Sequence, residues 1–407
     1  MIFEHDNTVS DCGVKIKIIG VGGGGGNAVN RMVAANVQGV EIYALNTDKL
    51  AFKRSEVPNK VVIGEKITKG YGAGAKPQIG ARAAEESIDD IREILEGTDM
   101  VFVTAGMGGG TGTGAAPIVA RMAREMDILT IGIVTKPFAF EGKKRMEQAE
   151  AGIAELAQYV DSLVVIPNER LKLISSAKLT LSNAFGIADD VLRRGVQSIS
   201  DLINVPGFIN LDFADVTSVM QNAGYAHMGV GSATGKDKAE LAAKEAISSP
   251  LLETSIKGAK GILISMSVSP DVSLDDVDLA STLITNEANP EANVIWGVSF
   301  DQELEDEMRI TIIATGFEKK PGDANRAGAT VKTNPESPYR TPQRPAAPQP
   351  NGAPVARPAG QPARPASATQ QPAPKAAPAP VRRPAPKPSE EEDMDDLLAM
   401  MRGVSKK

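Results

Sequence analysis

The chain contains 407 residues, of which 42% are hydrophobic and 23% charged, a balance that excludes a collagen-like or wholly disordered protein and leaves room for two or three domains. The single cysteine, Cys12, excludes an intrachain disulfide or a cysteine metal site and favours a reducing cytosol. With a net charge of −7 and only 4% aromatic residues, the chain is poorly suited to bind duplex DNA or to stack on single-stranded nucleic acid, so no specific nucleic-acid partner is expected.

Residues 1–11 are predicted to be a flexible acidic N-terminus. They lack the basic and apolar stretches of an export signal, and no apolar run in the chain approaches the roughly 18 residues of a membrane span. We therefore expect a soluble cytoplasmic protein that does not insert directly into a membrane.

Residues 12–180 alternate short apolar runs with helical patterns, which predicts an α/β domain built on a doubly wound parallel sheet. Pro77–Glu96 is predicted to be one helix, with proline at its first position and Gly97 after its end. Ligands of such sheets bind at the carboxyl ends of the strands. The strands are predicted at Val14–Ile19, Ile42–Leu45, Met100–Thr104, Ile128–Val134 and Leu163–Ile166.

A run of five consecutive glycines, Gly22 to Gly26, follows the first predicted strand. Because these residues have no Cβ atoms, their backbone N–H groups can approach and bind phosphate oxygens at the start of a helix. Gly20, Gly22 and Gly25 also fit the dinucleotide pattern G-x-G-x-x-G, with Asp48 placed to bind a ribose. Taken by itself, the loop fits a mononucleotide or a dinucleotide.

A second glycine-rich loop, Gly108–Gly114, follows a later strand, and Pro117 is predicted to open the next helix. A third glycine-rich turn spans Gly70–Ala75. One pyrophosphate occupies one helix N-terminus, so two such loops on one sheet favour a polyphosphate held from two sides. The usual P-loop is absent, since the nearest candidate has three residues instead of four between Gly231 and Gly235.

A long amphipathic segment precedes a second set of strands. Apolar residues, including Phe185, recur every three to four positions up to Ile203, which predicts a central helix over residues 181–204. Residues 205–318 are predicted to form a smaller mixed α/β domain. Two of its helices are expected to begin at the capping boxes Thr234–Asp237 and Ser273–Asp276. Its strands are predicted at Gly261–Val268, Val294–Phe300 and Arg309–Phe317.

Two carboxylates, Asp212 and Asp215, follow the central helix. Phosphoryl transfer depends on an oriented water and on charge stabilisation, and such a pair can hold and polarise a water or help to place Mg²⁺. They are predicted to lie across the central helix from the glycine loops, too far away to serve the same nucleotide. In the alternative interpretation, Asp215 only caps a helix over Val216–Ala223.

Residues 319–388 form a linker rich in proline, alanine and arginine. Eighteen of the 27 prolines fall in 321–388, which carries a formal charge of +8 and no Leu, Ile, Phe, Met or Trp, so this segment is predicted to be disordered. Leu397, Leu398, Met400 and Met401 follow an acidic run in the segment 389–407. This last segment is predicted to be a peptide that folds on a partner.

Several separated segments together resemble the tubulin/FtsZ family of GTPases, whose signature loop reads GGGTGTG, as Gly108–Gly114 does. The resemblance covers about residues 12–318, in the order of the family. The other segments that carry it are Gly20–Ala28, Asn46–Asp48, Lys69–Ala75, Pro137–Arg145 and Asn210–Asp215.

The resemblance implies a GTPase that polymerises head to tail into protofilaments and forms the bacterial division ring at midcell. GTP, which becomes GDP after hydrolysis, and Mg²⁺ are the implied cofactors. Glu141 is expected on the ribose with Arg145 nearby, and Asn168 and Asp189 are expected at the guanine base. The other implied nucleotide ligands are Gly22, Gly23, Gly24, Gly25, Gly26, Asn27, Gly72, Ala73, Gly74, Gly109, Gly110, Thr111, Gly112 and Thr113.

The resemblance also assigns the hydrolytic step and the partners. Asp212, Asp215 and Asn210 lie in the segment that resembles the family's catalytic loop, which acts on the GTP of the adjacent subunit. The peptide 389–407 is expected to bind a membrane tether and division regulators, although Asp395–Arg402 lacks the proline and the aromatic residue that are common in the family.

Two other functions stay open from the residues alone. A Rossmann-type NAD-dependent oxidoreductase would use Gly20, Gly22, Gly25 and Asp48, but it leaves the second glycine loop and the carboxylate pair without a role. A nucleotide-gated scaffold that does not hydrolyse GTP would keep the same pocket. Binding of GTP against NAD, and release of phosphate, distinguish the three functions.

Overall fold

The computed structural model describes residues 13–174, 180–204, 208–209, 211–252, 255–301 and 304–317. The N-terminus 1–11, the linker 319–388 and the peptide 389–407, each predicted from sequence, lie outside these residues. The strands are β1 (Ile16–Val21), β2 (Val40–Asn46), β3 (Asn59–Val62), β4 (Met100–Gly106), β5 (Leu129–Lys136), β6 (Ser162–Pro167), β7 (Gly224–Thr234), β8 (Gly261–Val268), β9 (Asn293–Phe300) and β10 (Glu307–Thr315).

The helices lie between these strands along the chain, singly or in groups of up to three. They are α1 (Gly22–Ala34), α2 (Glu65–Thr68), α3 (Pro77–Glu86), α4 (Ile88–Leu95), α5 (Thr111–Glu125), α6 (Lys143–Leu156), α7 (Leu171–Ile174), α8 (Leu181–Asn204), α9 (Phe213–Met220), α10 (Lys238–Ile247) and α11 (Leu274–Glu287).

The described strands form one sheet in the order β3-β2-β1-β4-β5-β6-β7-β10-β8-β9. Strands β1 to β6 are all parallel to their neighbours. Alternate residues of β1 enter different cores: Ile16 and Ile18 pack with α1 and α8 on one face, and Ile19 and Val21 pack with α4 and α5 on the other. Helices therefore cover both faces, which confirms the doubly wound α/β sheet.

Strand β7, like the short strand β3, was not predicted from the sequence. It pairs in parallel with β6 through its first residues, and then antiparallel with β10 from His227 to Thr234. Its glycines follow from close packing, because a methyl group on Gly229 would lie 2.3 Å from the Ala246 carbonyl and one on Gly231 would lie 2.2 Å from the Ala242 carbonyl. The glycines that let α10 approach also removed the apolar alternation that identifies a strand.

The central helix is confirmed as α8, which spans 24 residues. Its buried apolar residues share a core with β1, β4, β5 and β6, and that core also contains Leu263 of β8 and Ile313 of β10. A further core is formed mainly by α10, α11, β8 and β10. Helix α8 thus packs against both the parallel and the antiparallel parts of the sheet.

Two local predictions are wrong. The single helix over 77–96 is two helices, because the backbone leaves helical geometry at Ser87, whose hydroxyl accepts a hydrogen bond from the Gly64 N–H at 3.2 Å. The capping box at 234–237 does not form, since Thr234 ends β7 and the Asp237 side chain makes no capping hydrogen bond. The box Ser273–Asp276 is confirmed at the start of α11.

Candidate nucleotide site and carboxylate pair

The five glycines form the first turns of α1 instead of a separate loop. Gly22 begins the helix directly after β1 with a φ of +73°, a conformation that glycine adopts at little cost. No side chain caps this helix end. The first N–H groups of α1 therefore have no intrahelical partner, and they form a binding surface for an anion.

The second glycine loop gives the same arrangement at α5. This helix begins at Thr111, and Gly110 precedes it without a capping side chain. The prediction that Pro117 opens the helix is wrong: helical hydrogen bonding begins earlier, with the Gly114 N–H donating to the Gly110 carbonyl at 3.1 Å, and the proline lies inside α5.

The two helix starts lie against each other, because β1 and β4 are adjacent parallel strands. A methyl group on Gly22 would lie 2.6 Å from the Gly112 nitrogen, and one on Gly24 would lie 3.0 Å from the Gly106 Cα. Gly23 and Gly109 instead have open space where a Cβ would be. The sheet thus brings two uncapped helix N-termini to one edge, as the sequence predicted for a polyphosphate held from two sides.

The third glycine-rich turn lies against the second glycine loop. The Gly72 N–H donates to the Thr47 carbonyl at 3.1 Å, and the Thr47 and Thr111 hydroxyls lie 2.6 Å apart. A methyl group on Gly110 would lie 2.8 Å from the Cβ of Ala73. Gly72, Ala73 and Gly74 therefore lie beside the start of α5.

Glu141 and Arg145 lie next to the second glycine loop. The Glu141 carboxylate accepts a hydrogen bond from the Phe138 N–H at 2.8 Å and pairs with the Arg145 guanidinium at 3.1 Å. A methyl group on Gly108 would lie 2.7 Å from the Cγ of Arg145. The carboxylate is thus fixed in place while the guanidinium stays half exposed.

Asn168 and Asp189 lie on separate elements. Asn168 lies in the short turn after β6, and Asp189 lies on the central helix α8. Asn168 follows β6 and is buried, yet its Oδ1 has no hydrogen-bond partner among the described residues. Burial raises the pKa of Asp189 on α8 to about 6, and Arg31 of α1, at 3.6 Å, opposes that shift. An unpartnered buried acceptor is unfavourable by itself, so Asn168 fits a site completed by a ligand donor.

The carboxylate pair has a structural role that the sequence analysis assigned to Asp215 alone. Asp212 precedes α9, and its carboxylate accepts a hydrogen bond from the Asp215 N–H at 2.7 Å, while the Asp215 carboxylate accepts one from the Asp212 N–H at 3.4 Å. The helix begins at Phe213, not at Val216 as predicted. Asn210, the third predicted catalytic residue, lies outside the described residues.

The carboxylate pair and the glycine loops lie toward opposite edges of the parallel sheet. The Ser162 hydroxyl, at the first residue of β6, donates to the carbonyl of Met220, the last residue of α9, at 2.7 Å. The glycine loops follow the last residues of β1 and β4. Helix α9 therefore ends at the amino edge of strands whose carboxyl edge carries the two uncapped helix starts.

Comparisons with known proteins identify this arrangement. The sequence profile of the Tubulin/FtsZ family, GTPase domain, matches residues 15–176, and that of the FtsZ family, C-terminal domain, matches residues 224–318. An empty FtsZ dimer from M. jannaschii is 41% identical in sequence to this chain. The match covers 74% of this chain and 88% of the M. jannaschii chain, with a TM-score of 0.72. The chain belongs to the FtsZ family.

Two further solved structures are similar to this FtsZ-family chain. A point mutant of FtsZ from M. jannaschii is 40% identical, covers 75% of this chain and 92% of its own, and has a TM-score of 0.73. CetZ2 from Haloferax volcanii, solved as a GTPγS-bound protofilament, is 21% identical over 77% of this chain and 98% of its own, with a TM-score of 0.63, and so shares the fold. Membership of the FtsZ family leaves no basis for the NAD-dependent alternative.

Phe185 is a candidate site residue that the sequence analysis counted only as an apolar position of the helix. It lies one turn before Asp189 on α8, on the same helix face, and is 42% exposed. Its ring lies edge-on to Phe138, with 5.5 Å between centroids, and to Phe140, with 6.3 Å. Its apolar spacing is the same as that of the buried residues, so only the tertiary structure distinguishes it.

The described residues contain no cluster of three or more histidine, cysteine, aspartate or glutamate side chains arranged to hold a metal ion. Of the helices that the structure describes in this FtsZ-family chain, none combines the length and the apolar character needed to cross a membrane.

Proposed function

We propose that this chain binds GTP and polymerises head to tail into protofilaments of the bacterial division ring, hydrolysing GTP to GDP and phosphate at the interface between subunits. The observation that carries the proposal is the arrangement of two uncapped glycine helix starts at one edge of the sheet and a carboxylate pair toward the opposite edge. In a head-to-tail polymer, these two edges of successive subunits meet.

The proposed nucleotide site follows from the unpaired groups. The starts of α1 and α5 present N–H groups to phosphates, and Gly23 and Gly109 leave open space beside them. Glu141 and Arg145 would bind the ribose, and Asn168 and Asp189 would bind the guanine. The unpartnered Oδ1 of Asn168 supports the base site, because guanine offers N–H donors.

Mg²⁺ is part of the proposal, held mainly by the nucleotide. Mg²⁺ usually keeps several waters and binds through one or two carboxylates together with substrate phosphates. The described residues contain no cluster of three carboxylate, imidazole or thiol groups, which fits an ion bound with GTP better than a resident metal. When bound, the ion would neutralise charge that develops on the phosphates.

Hydrolysis in this proposal needs two subunits. Asp212 is exposed. In the sequence, Asn210 precedes it by two residues and Asp215 follows it by three. Docked over the phosphates of the adjacent subunit, these groups would orient the attacking water. A solved FtsZ from M. jannaschii is described as a dimer, and CetZ2 as a protofilament, which supports self-association as the route to this site.

The proposed location is the cytoplasm, at the midcell division ring. The peptide 389–407 would bind a membrane tether and division regulators, and the linker 319–388 would separate it from the folded body. The domain division is also part of the proposal: a nucleotide-binding domain spans 12–180, the central helix spans 181–204, and the C-terminal α/β domain spans 205–318.

Phosphate release from GTP with Mg²⁺, measured over a range of protein concentrations with ATP as the control nucleotide, tests the proposal. Specific activity should be near zero below a threshold concentration and rise above it, with no release from ATP. Activity per molecule that does not change with concentration would show a site complete within one chain. Tight GTP binding without phosphate release at any concentration would instead identify the nucleotide-gated scaffold.

A further inference from the structure

The short turn Asn168–Arg170, a single 3-10 turn after β6, directs three consecutive side chains into three different surroundings. Asn168 is buried with a free Oδ1. The Glu169 carboxylate accepts a hydrogen bond from the Ala139 N–H at 2.6 Å. The Arg170 guanidinium donates to the carbonyls of Pro250 and Leu252, both at 2.9 Å.

The carbonyls that bind Arg170 belong to a segment with two buried leucines. Leu251, which lies between the two acceptor carbonyls, is buried in the core that contains α8, while Leu252 is buried in the core that contains α10 and β8. A charged donor strengthens a hydrogen bond, and the planar guanidinium loses little freedom when it is held by two acceptors. Arg170 therefore attaches the turn to a fixed point between the two cores.

Glu169 and Arg170 tether the turn on two sides. The turn begins after Pro167, the last residue of β6, and leads into Leu171, which is fully buried in the core that contains α8. No side chain caps the turn at Pro167. Glu169 binds the loop that carries Glu141, and Arg170 binds the segment 250–252. Two side-chain tethers that lie immediately after Asn168 thus help to orient its carboxamide.

We propose that Arg170 is a positioning residue for the nucleotide base, holding the turn so that the Asn168 carboxamide faces the bound guanine. The inference rests on the proposed function and extends it, since Arg170 itself touches two backbone carbonyls and not the nucleotide. Removal of Arg170 takes away one of the two tethers, so that Asn168 is present but less well aligned with the base.

A double-mutant cycle on the full chain tests this role. The Kd for GDP is measured for wild type, Arg170→Ala, Asn168→Ala and the double variant. Loss of one aligned hydrogen bond in a buried site weakens binding by about tenfold, so Arg170→Ala should raise the Kd by about that factor in the wild-type background. In the Asn168→Ala background, the same change should raise the Kd by less than about twofold, because there is no carboxamide left to align.

Two further variants separate positioning from a general structural effect. Arg170→Lys keeps a cation that can donate to both carbonyls, so it should stay within about threefold of wild type even if Arg170→Ala folds poorly. Arg124 is a matched control, since its guanidinium also donates to a backbone carbonyl, that of Gln158. Arg124→Ala should leave the Kd for GDP unchanged. At saturating GTP, kcat of Arg170→Ala should stay within about twofold of wild type while KM rises.

The outcomes distinguish this inference from the proposed function. Equal effects of Arg170→Ala with and without Asn168 would overturn the positioning role, as would an unchanged Kd in Arg170→Ala. An unchanged Kd in Asn168→Ala would overturn the base contact and the positioning role together. Failure of the wild type to bind GDP would reject the proposed function itself.

Discussion

Arg31 of α1 and Asp189 of α8 form an ion pair, with 3.6 Å between the guanidinium Nε and the carboxylate Oδ2. The Asp189 side chain is only 14% exposed. Burial raises its pKa to about 6, and the charge of Arg31 opposes that shift. The Asp189 carboxyl group, which is proposed to bind the guanine, therefore changes its charge just below neutral pH.

Nucleotide affinity should fall as the pH drops through about 6, because protonation removes an acceptor from the base site. The folded chain binds this proton more tightly than the unfolded chain, in which the aspartate has its ordinary pKa of 3.8. The stability contributed by this group is therefore present below about pH 4 and is lost as the pH rises through 6. Isothermal titration of GDP between about pH 5.5 and 7.5 measures the effect on affinity.

Asp189→Asn is the control for this pH dependence. Asp201, also on α8, has its pKa raised to about 6, chiefly by burial, so a second group titrates in the same range. Only the contribution of Asp189 should disappear in Asp189→Asn, and Arg31→Ala should move the midpoint to higher pH. A pH profile that is the same in wild type and Asp189→Asn would assign the effect to another group.

Asp212 combines a capping role with the proposed catalytic one, and two substitutions separate them. Asparagine caps a helix about as well as aspartate, whereas alanine loses the cap at a cost of about 1 kcal/mol. Asp212→Asn should keep the thermal stability of wild type, and Asp212→Ala should be less stable. Both should bind GTP but release phosphate at least about tenfold more slowly, because the water-orienting carboxylate is lost. Normal turnover in Asp212→Asn would withdraw the catalytic assignment.

Gly22 and Gly26 lie in the same glycine run but differ in their surroundings. An alanine at Gly22 meets the Gly112 nitrogen at 2.6 Å and has to adopt a φ of +73°, so Gly22→Ala should lower the free energy of unfolding by about 1–3 kcal/mol and weaken GTP binding. Gly26 has nothing within 4 Å of a Cβ, so Gly26→Ala should raise the free energy of unfolding by about 0.5 kcal/mol. Urea denaturation of both variants measures this contrast, and equal stabilities would contradict it.

Lys17 of β1 has a buried side chain that caps the C-terminus of helix α4. Its ammonium donates to the carbonyls of Ile94 at 2.7 Å and Glu96 at 3.3 Å. Lys17→Met leaves these acceptors without their donor and should lower the free energy of unfolding by about 1–3 kcal/mol. Lys60→Met, at an exposed position of β3, is the matched control and should change it by less than about 0.5 kcal/mol. Equal effects of the two substitutions would remove the capping role.

Deletion of residues 389–407 should leave GTPase activity and assembly in solution unchanged, since a long proline-rich linker separates the peptide from the folded body. Phosphate release and electron microscopy of filaments measure the two properties. Loss of filaments after the deletion would show that the peptide takes part in the polymer contact itself.

Much of the fold was predictable from local patterns. The strands β1, β4 and β5 and the helix α8 have apolar periodicity that identifies them without their neighbours, although their ends shifted by up to about two residues. The glycine loops were recognisable for the same reason, because consecutive residues without Cβ atoms have a local meaning, and their binding of phosphate stays a prediction.

Other features depend on partners that are distant in sequence. The glycines of β7 let α10 pack closely against the strand. The Ser87 hydroxyl, at the break between α3 and α4, accepts a hydrogen bond from the Gly64 N–H. The exposure of Phe185 depends on how α8 packs beside Phe138 and Phe140. No local pattern contains these relationships.

The sequence by itself determined the parallel sheet, the central helix, the two glycine-rich loops and the resemblance to one family. Apolar periodicity and runs of glycine are patterns that a few neighbouring residues contain in full. The tertiary structure decided that the carboxylate pair lies toward the edge of the sheet opposite the glycine loops, and that Arg170 connects the turn that carries Asn168 to Pro250 and Leu252. These contacts join residues that are 58, 80 and 82 positions apart, and only the packing of the folded chain brings them within hydrogen-bond distance.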